Sequence, residues 1–151
     1  MVQIHLDNID HLDAAILRIE ERTEQVMAPF QAAREALTTI PGIGIVVANA
    51  VIAEVGPTVD AFPDAAHLAS WAGVCPGQNE SAGRVKSTKT RPGNRYLKAN
   101  LGIAALAISW SKDNHLHTKY WRIVSRQGKQ KAVVAIEHAL LVIVWNLLHD
   151  G

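Results

Sequence analysis

QKAVVAIEHALLVIVWNLL, residues 130–148, is the stretch that decides how the rest of this sequence folds. Its side chains are apolar nearly all the way round a helix, and a helix of that kind is buried against neighbours on most sides. Glu137 and His138 interrupt the run. We interpret both as hydrogen-bonded core residues rather than catalytic ones, because buried ionisable groups normally have polar partners. The stretch therefore predicts a central buried helix.

The segments before this helix supply further helices to pack against it. Residues 94–111 carry an apolar stripe at helical spacing, and residues 117–127 form a shorter helix that Gly128 ends. His115 and His117 are interpreted as part of a linker, since no cysteine or carboxylate lies near them at ligand spacing. These patterns predict an all-α fold. The inner stripe of the longer segment is Leu97, Leu101, Ala104, Ala105 and Ile108.

Residues 37–56, LTTIPGIGIVVANAVIAEVG, match a helix-hairpin-helix motif, which binds nucleic-acid backbones without reading bases. Gly42, Ile43 and Gly44 form the turn, where glycine lets a backbone approach closely. The N–H groups that begin the next helix then face a phosphate under the helix dipole. The same pattern also fits a tight structural turn between two packed helices.

Residues 73–98, GVCPGQNESAGRVKSTKTRPGNRYLK, form a basic loop. Ser81 stands beside Ala82 and Gly83, whose small size leaves its hydroxyl uncrowded. Six cations follow without an acid, and a nucleophilic hydroxyl beside a cationic strip indicates a phosphodiester partner. The candidate nucleic-acid-binding cations are Arg84, Lys86, Lys89, Arg91, Arg95 and Lys98.

Residues 1–36 are predicted to form a helical stalk. Apolar side chains recur at alternating spacings of three and four residues, as in the seam of a coiled coil, and Pro29 is expected to kink the helix. Because an isolated seam of this length is marginally stable, we expect a homo-oligomer that pairs through the stalk; folding back onto residues 37–151 is the alternative. The seam residues are Ile9, Leu12, Ile16, Ile19, Val26 and Phe30.

Composition supports one domain behind the stalk, since 151 residues suffice for one core but not two. Residues 1–80 have three Lys and Arg against eleven Asp and Glu, whereas residues 81–151 have twelve against three. The net charges, −8 and +9, favour an acidic partner for the second half, with DNA first. No uncharged apolar run reaches 18 residues, which predicts no membrane span. The single cysteine, Cys75, fits a reducing cytoplasm.

Four motifs in order resemble the C-terminal domain of bacterial transposases of the insertion-sequence 110 family, which also includes the pilin-gene-inverting recombinases. They are Ile-Pro-Gly-Ile-Gly at 40–44, Ser-Trp-Ala-Gly-Val-Cys-Pro-Gly-Gln-Asn-Glu-Ser-Ala-Gly-Arg at 70–84, Arg-Pro-Gly-Asn-Arg-Tyr-Leu-Lys at 91–98 and Ala-Val-Val-Ala-Ile-Glu-His-Ala-Leu-Leu at 132–141. Each motif is weak alone, but their order is specific. The resemblance covers residues 37–151, and residues 2–36 look like the end of a coiled-coil linker.

The resemblance implies that Ser81 forms a covalent link to DNA. It also implies a separate RuvC-like N-terminal domain with four acidic residues and Mg²⁺, a structured guide RNA, and active sites assembled across protomers. This sequence departs from the family at Ala82, where glycine is common, and lacks the acidic domain. We therefore expect no cofactor in this chain itself, and a fragment of a bacterial transposase that does not cut DNA alone.

Two alternatives remain open from the sequence. The chain is either the serine-bearing part of a DNA recombinase or a non-catalytic nucleic-acid-binding module that uses the hairpin turn and the basic loop. A third, weaker interpretation is a structural dimerisation unit.

Overall fold

A computed structural model describes residues 1–75 and 89–150 in full, together with the backbone of residues 79–81 and 84–87. The regular secondary structure of the described part is helical except for one short hairpin, which confirms the all-α prediction. The helices are α1 (Val2–Met27), α2 (Gln31–Thr38), α3 (Ile45–Val55), α4 (Ala65–Trp71), α5 (Arg95–Trp110), α6 (His115–Gln127) and α7 (Lys129–Asp150); the strands are β1 (Asn79–Ser81) and β2 (Arg84–Ser87).

The chain divides into two compact units, Met1–Gln31 and Ala32–Gly151. The first unit consists almost entirely of α1, whose apolar side chains are largely exposed, apart from the buried Met27. A single 3₁₀ turn, Ala28–Phe30, follows it, with Pro29 in the turn. The interruption agrees with the kink predicted from that proline.

In the second unit, α7 is the helix that the others share. It packs against α4, α5 and α6 and buries Ala132, Ile136, Leu140, Leu141 and Val144. By length and hydropathy alone α7 would also suffice to cross a membrane, a property that it shares with core helices of soluble proteins. Here it is the central core helix predicted from residues 130–148.

The N-terminus of α5 is fixed by Asn94. Its side-chain oxygen accepts hydrogen bonds from the backbone N–H groups of Tyr96 (3.0 Å) and Leu97 (2.9 Å), as an N-cap residue does. Its amide nitrogen donates to Glu54, near the end of α3. One side chain therefore begins α5 and links it to α3, while all five residues of the predicted inner stripe are buried.

Glu137 is the exception to the apolar surface of α7. Only 4% of it is exposed, and its Oε2 has no hydrogen-bond partner. Burial raises the pKa of this carboxyl, while the ammonium group of Lys98 acts in the opposite direction. The predicted core position is therefore correct, but the expected hydrogen bonding does not extend to Oε2.

Two glycines bring the ends of the basic loop together. A Cβ added to Gly93 would lie 2.3 Å from the carbonyl carbon of Ala72 and from the nitrogen of Gly73. Gly73 has φ of +74°, and a Cβ there would lie 2.7 Å from the nitrogen of Gly93. Backbone therefore meets backbone without room for a side chain. We call this contact the neck.

Lys98 reinforces the neck from α5. Its Nζ donates to the carbonyl oxygen of Gly73 at 3.0 Å and to Oγ1 of Thr90 at 3.1 Å. The two acceptors lie on the outgoing and returning sides of the loop. One ammonium group thus joins both sides to α5.

Between the two sides of the neck, β1 and β2 pair as an antiparallel hairpin, with Ser81 opposite Arg84. The sequence predicts a basic loop over these residues, and the paired strands within it are an addition to that prediction. The register shifts between Asn79 and Glu80. The hairpin is a small β element within an otherwise helical unit.

We expect Gly93→Ala to lower the free energy of unfolding by about 2–3 kcal/mol, because the new methyl group would overlap backbone atoms that cannot rotate away. Thermal unfolding followed by circular dichroism would measure the loss, roughly 5–10 °C for a domain of this size. Gly44→Ala is the control: no heavy atom lies within 4 Å of its added Cβ. Equal melting temperatures for the two variants would contradict a closed neck.

Glu137→Gln tests the buried carboxyl. Because the folded pKa is raised, the stabilisation from protonation is complete below the ordinary value of 4.5 and is lost as pH rises through the folded pKa. The glutamine variant cannot ionise, so we expect it to gain stability relative to the original protein between pH 4.5 and pH 7, on the order of 1 kcal/mol. Urea unfolding across this pH range measures the difference. The exposed Glu20→Gln should show no such trend, and a flat difference for Glu137→Gln would contradict the prediction.

Candidate nucleic-acid interface

Ser81, the candidate nucleophile, is the last residue of β1 and the backbone partner of Arg84, the first residue of β2. Lys86 lies in the same strand. The side chains of all three residues lie outside the described part of the structure, as do residues 82–83 entirely. Their roles therefore stay predictions, although the hairpin brings the Ser81 and Arg84 backbones side by side.

The four remaining cations lie on the returning side of the neck and at the start of α5. Lys89, Arg91 and Arg95 are exposed. Arg95 donates to the hydroxyl of Tyr96 at 2.8 Å, and its guanidinium carbon lies 4.8 Å from the ring centroid of that residue. Lys98 is half-buried and holds the neck. Two of the six candidates, Arg95 and Lys98, thus belong to a helix rather than to a loop.

Cys75, just after the neck, is another potential nucleophile in this region. It is half-buried, and burial raises the pKa of its thiol. A thiol of raised pKa is mostly protonated at neutral pH and therefore unreactive. The chemistry of the region does not favour Cys75 over Ser81.

The three residues of the predicted hairpin motif have different surroundings in the turn before α3. Gly42 has φ of +83°, and a Cβ there would lie 2.7 Å from the carbonyl oxygen of Ala104 on α5. Ile43 is buried, and its N–H donates to the carbonyl oxygen of Ile40. Gly44 instead lies in open space, caps α3 without a side-chain hydrogen bond, and precedes two exposed residues. The Gly44 end therefore leaves the start of α3, with its unpaired backbone N–H groups, open to solvent.

The structure does not bring this turn to the described ends of the basic loop. The C-terminal end of α3 is tied to Asn94 at the start of α5, whereas the turn before α3 packs on Ala104 and Ile108. At about 1.5 Å per helical residue, Lys98 lies roughly 9–15 Å along α5 from those contacts. The turn of the predicted helix-hairpin-helix motif and the described ends of the basic loop are therefore two separate candidate contacts.

Within residues 1–75 and 89–150, no group of three His, Cys, Asp or Glu side chains could hold a metal ion. His115 and His117, which the sequence placed in a linker, instead form the first turn of α6, where Nδ1 of His117 lies 3.1 Å from the carbonyl oxygen of Ile108. The described residues thus do not fit the Mg²⁺ site that the family resemblance implies for another domain.

Sequence reasoning missed a cavity of about 560 Å³ between α6, α7 and the returning side of the loop. Five of its lining residues lie along one face of α7: Gln130, Lys131, Val134, Ala135 and His138. Their spacing of one, three and four residues was visible in the sequence. The interpretation of α7 as apolar on nearly all sides did not predict that these residues form a separate, partly polar face.

The known proteins that this chain is similar to point to one family. The family described as "Transposase IS116/IS110/IS902 family" matches residues 34–121. The chain is 30% identical to the "Insertion element IS110 uncharacterized 43.6 kDa protein" of Streptomyces coelicolor, over 95% of this chain and 37% of that protein. It is 26% identical to the "Pilin gene-inverting protein" of Moraxella bovis, over 96% of this chain and 47% of that protein.

A third relative, the "Insertion element IS900 uncharacterized 42 kDa protein" of Mycobacterium paratuberculosis, is 31% identical over 77% of this chain and 29% of that protein. The chain thus spans less than half the length of the curated relatives it matches. The family match covers more than half of this chain, including α3, α4, the basic loop and α5. On that match, the chain belongs to the IS116/IS110/IS902 family of transposases.

Proposed function

We propose that this chain binds DNA through the basic loop and, within a longer transposase, supplies Ser81 for strand cleavage and joining. The observation that carries the proposal is the neck, which closes the loop at Gly73 and Gly93. The hairpin, in which the backbone of Ser81 pairs with that of Arg84, lies between the two sides of this neck, and Lys89, Arg91 and Arg95 on the returning side are exposed. A nucleophile close to phosphate-binding groups can be aligned with a phosphodiester.

In the proposed chemistry the Ser81 oxygen forms a bond to the phosphorus of a phosphodiester. The bond from that phosphorus to one sugar oxygen breaks, and the hydroxyl proton is transferred, through intervening groups, to the leaving oxygen. Arg84 and its neighbours stabilise the added negative charge on the phosphate. A serine hydroxyl needs a base or a metal to become reactive, and we assign that task to an acidic domain outside this chain.

The N-terminus of α3 is a second contact in the proposal. The first N–H groups of a helix attract phosphate, and Gly44, Ile45 and Val46 leave that end open to solvent. Such contacts bind the backbone without reading sequence. A guide RNA would be bound in the same way, since phosphates of DNA and RNA are alike, so RNA is included among the proposed partners.

The alternative is a nucleic-acid-binding module without a catalytic role. Its specific support is that Lys89, Arg91 and Arg95 are exposed, and binding through these cations needs no reaction at Ser81. The two proposals share the cations and differ only at Ser81. One experiment can therefore distinguish them.

We expect replacement of Arg84, Lys86 and Lys89 by Gln to weaken binding of duplex DNA and of a structured RNA. Each lost phosphate contact should reduce the slope of log affinity against log salt concentration by about one unit. Fluorescence anisotropy between 50 and 200 mM NaCl measures the slope. Binding that is independent of salt in the original chain would contradict both proposals.

Ser81→Ala is the matched control, because it leaves the charge of the loop unchanged. Its affinity for DNA should equal that of the original chain. In a full-length family transposase carrying the same loop, the alanine variant should lose covalent DNA attachment, seen as a shifted band on a denaturing gel. Retained attachment would exclude Ser81 as the nucleophile and favour the non-catalytic module.

We also propose that α1 pairs with a second copy of this chain. The seam residues Ile9, Leu12 and Ile16 are each about half exposed within the described chain. Apolar side chains at this spacing are normally covered in a coiled coil. Pairing through α1 would place two basic loops in one assembly, as cutting and joining of two strands requires.

Ile16→Glu should shift the chain from dimer to monomer, because it places a charge in the seam where a partner helix would desolvate it. Sedimentation velocity measures the mass. The control is Leu17→Glu, since Leu17 is equally exposed but lies outside the seam. A monomeric original chain, or equal effects of both variants, would contradict pairing through this face.

A further inference from the structure

The cavity between α6, α7 and the returning side of the loop combines an apolar floor with a cationic rim. Its apolar lining consists of Val74, Val134 and Ala135. Val74 is fully buried directly after the neck, whereas the two α7 residues are half-buried. A floor of this kind accepts a flat, weakly polar group.

The rim is formed by lysines from different segments. Lys119 of α6, Lys131 in the first turn of α7 and Lys89 of the loop all line the cavity, and none of its lining residues in the described part of the chain is acidic. The rim is therefore suited to a phosphate.

Hydrogen-bonding groups lie between floor and rim. Gln127 and Gln130 each offer a donor and an acceptor, and His138 offers a ring nitrogen of either kind. A nucleobase edge has the same mixture of donors and acceptors. At about 560 Å³ the cavity lies in the range of small-ligand sites.

We propose that this cavity takes one unpaired nucleotide of a bound nucleic-acid strand, with its base on the floor and its phosphate on the rim. The inference rests on the proposed function, because it makes the cavity part of the same binding surface: Lys98 ties Thr90, a cavity residue, to the neck. The negative phosphate matches the all-cationic rim. An apolar side chain of a protein partner would match only the floor.

The test compares binding of a single-stranded dA20 oligonucleotide with an abasic strand of the same length and charge. The original chain should bind dA20 roughly fivefold or more tightly, since a base on an apolar surface contributes that much or more. Ala135→Leu fills the floor and should abolish the preference while retaining the thermal unfolding of the original chain. Equal binding of the two strands by the original chain, or a preference that survives in Ala135→Leu, would overturn the proposal.

A rim variant gives an answer even where the floor variant fails to fold. Lys119→Gln combined with Lys131→Gln should reduce the salt slope for dA20 by roughly 0.7 per lost phosphate contact. The control pair is Lys112→Gln with Lys129→Gln, which removes the same charge outside this cavity. Equal slopes for the two pairs would refute the cavity, whereas salt-dependent binding by the original chain would leave the proposed function intact. Binding without salt dependence in the original chain would refute both.

Discussion

The contact between Gly73 and Gly93 is the constraint on which the arrangement of the candidate interface depends. Where two backbones meet this closely, neither position can carry a side chain, and the segment between them begins and ends at the same place. Between these ends, the two strands of the hairpin pair with each other. A loop held at both ends loses less freedom when it binds a partner.

This contact is coupled to the core through Lys98. The lysine donates to Gly73 and Thr90 on one side, and its charge acts on the buried Glu137 on the other. A carboxyl with an unpartnered oxygen is costly in the interior, and a nearby ammonium group offsets part of that cost. Lys98, which the sequence assigns to nucleic acid, thus has two hydrogen-bond acceptors inside the protein. Such contacts suit a residue that positions the loop.

Helix positions were predictable because they follow from periodicity and from residues that end helices. All five residues of the α5 stripe are buried, Gly56 and Gly128 end α3 and α6 with positive φ, and Pro29 lies in the turn after α1. The family was predictable from the order of four short motifs, and the family match confirms it.

The hairpin and the neck were not predictable in the same way. A three-residue strand has too few side chains to show an alternating pattern, and the contact between Gly73 and Gly93 joins residues far apart in sequence. Gly42 packs against α5, whereas Gly44 lies in open space. This difference depends on the position of α5, which no local sequence pattern reveals. The cavity on α7 was not predictable from local sequence, because it forms only where α6 packs beside α7.

The single residue that joins α6 to α7 has a consequence for recognition. Gly128 alone joins α6 to α7, with no intervening loop. Because the connection is this short, the two helices that line the cavity have little room to move apart. An incoming strand would meet a slot whose width is already set by packing. Selectivity there would arise from the shape of what enters, with little adaptation by the protein.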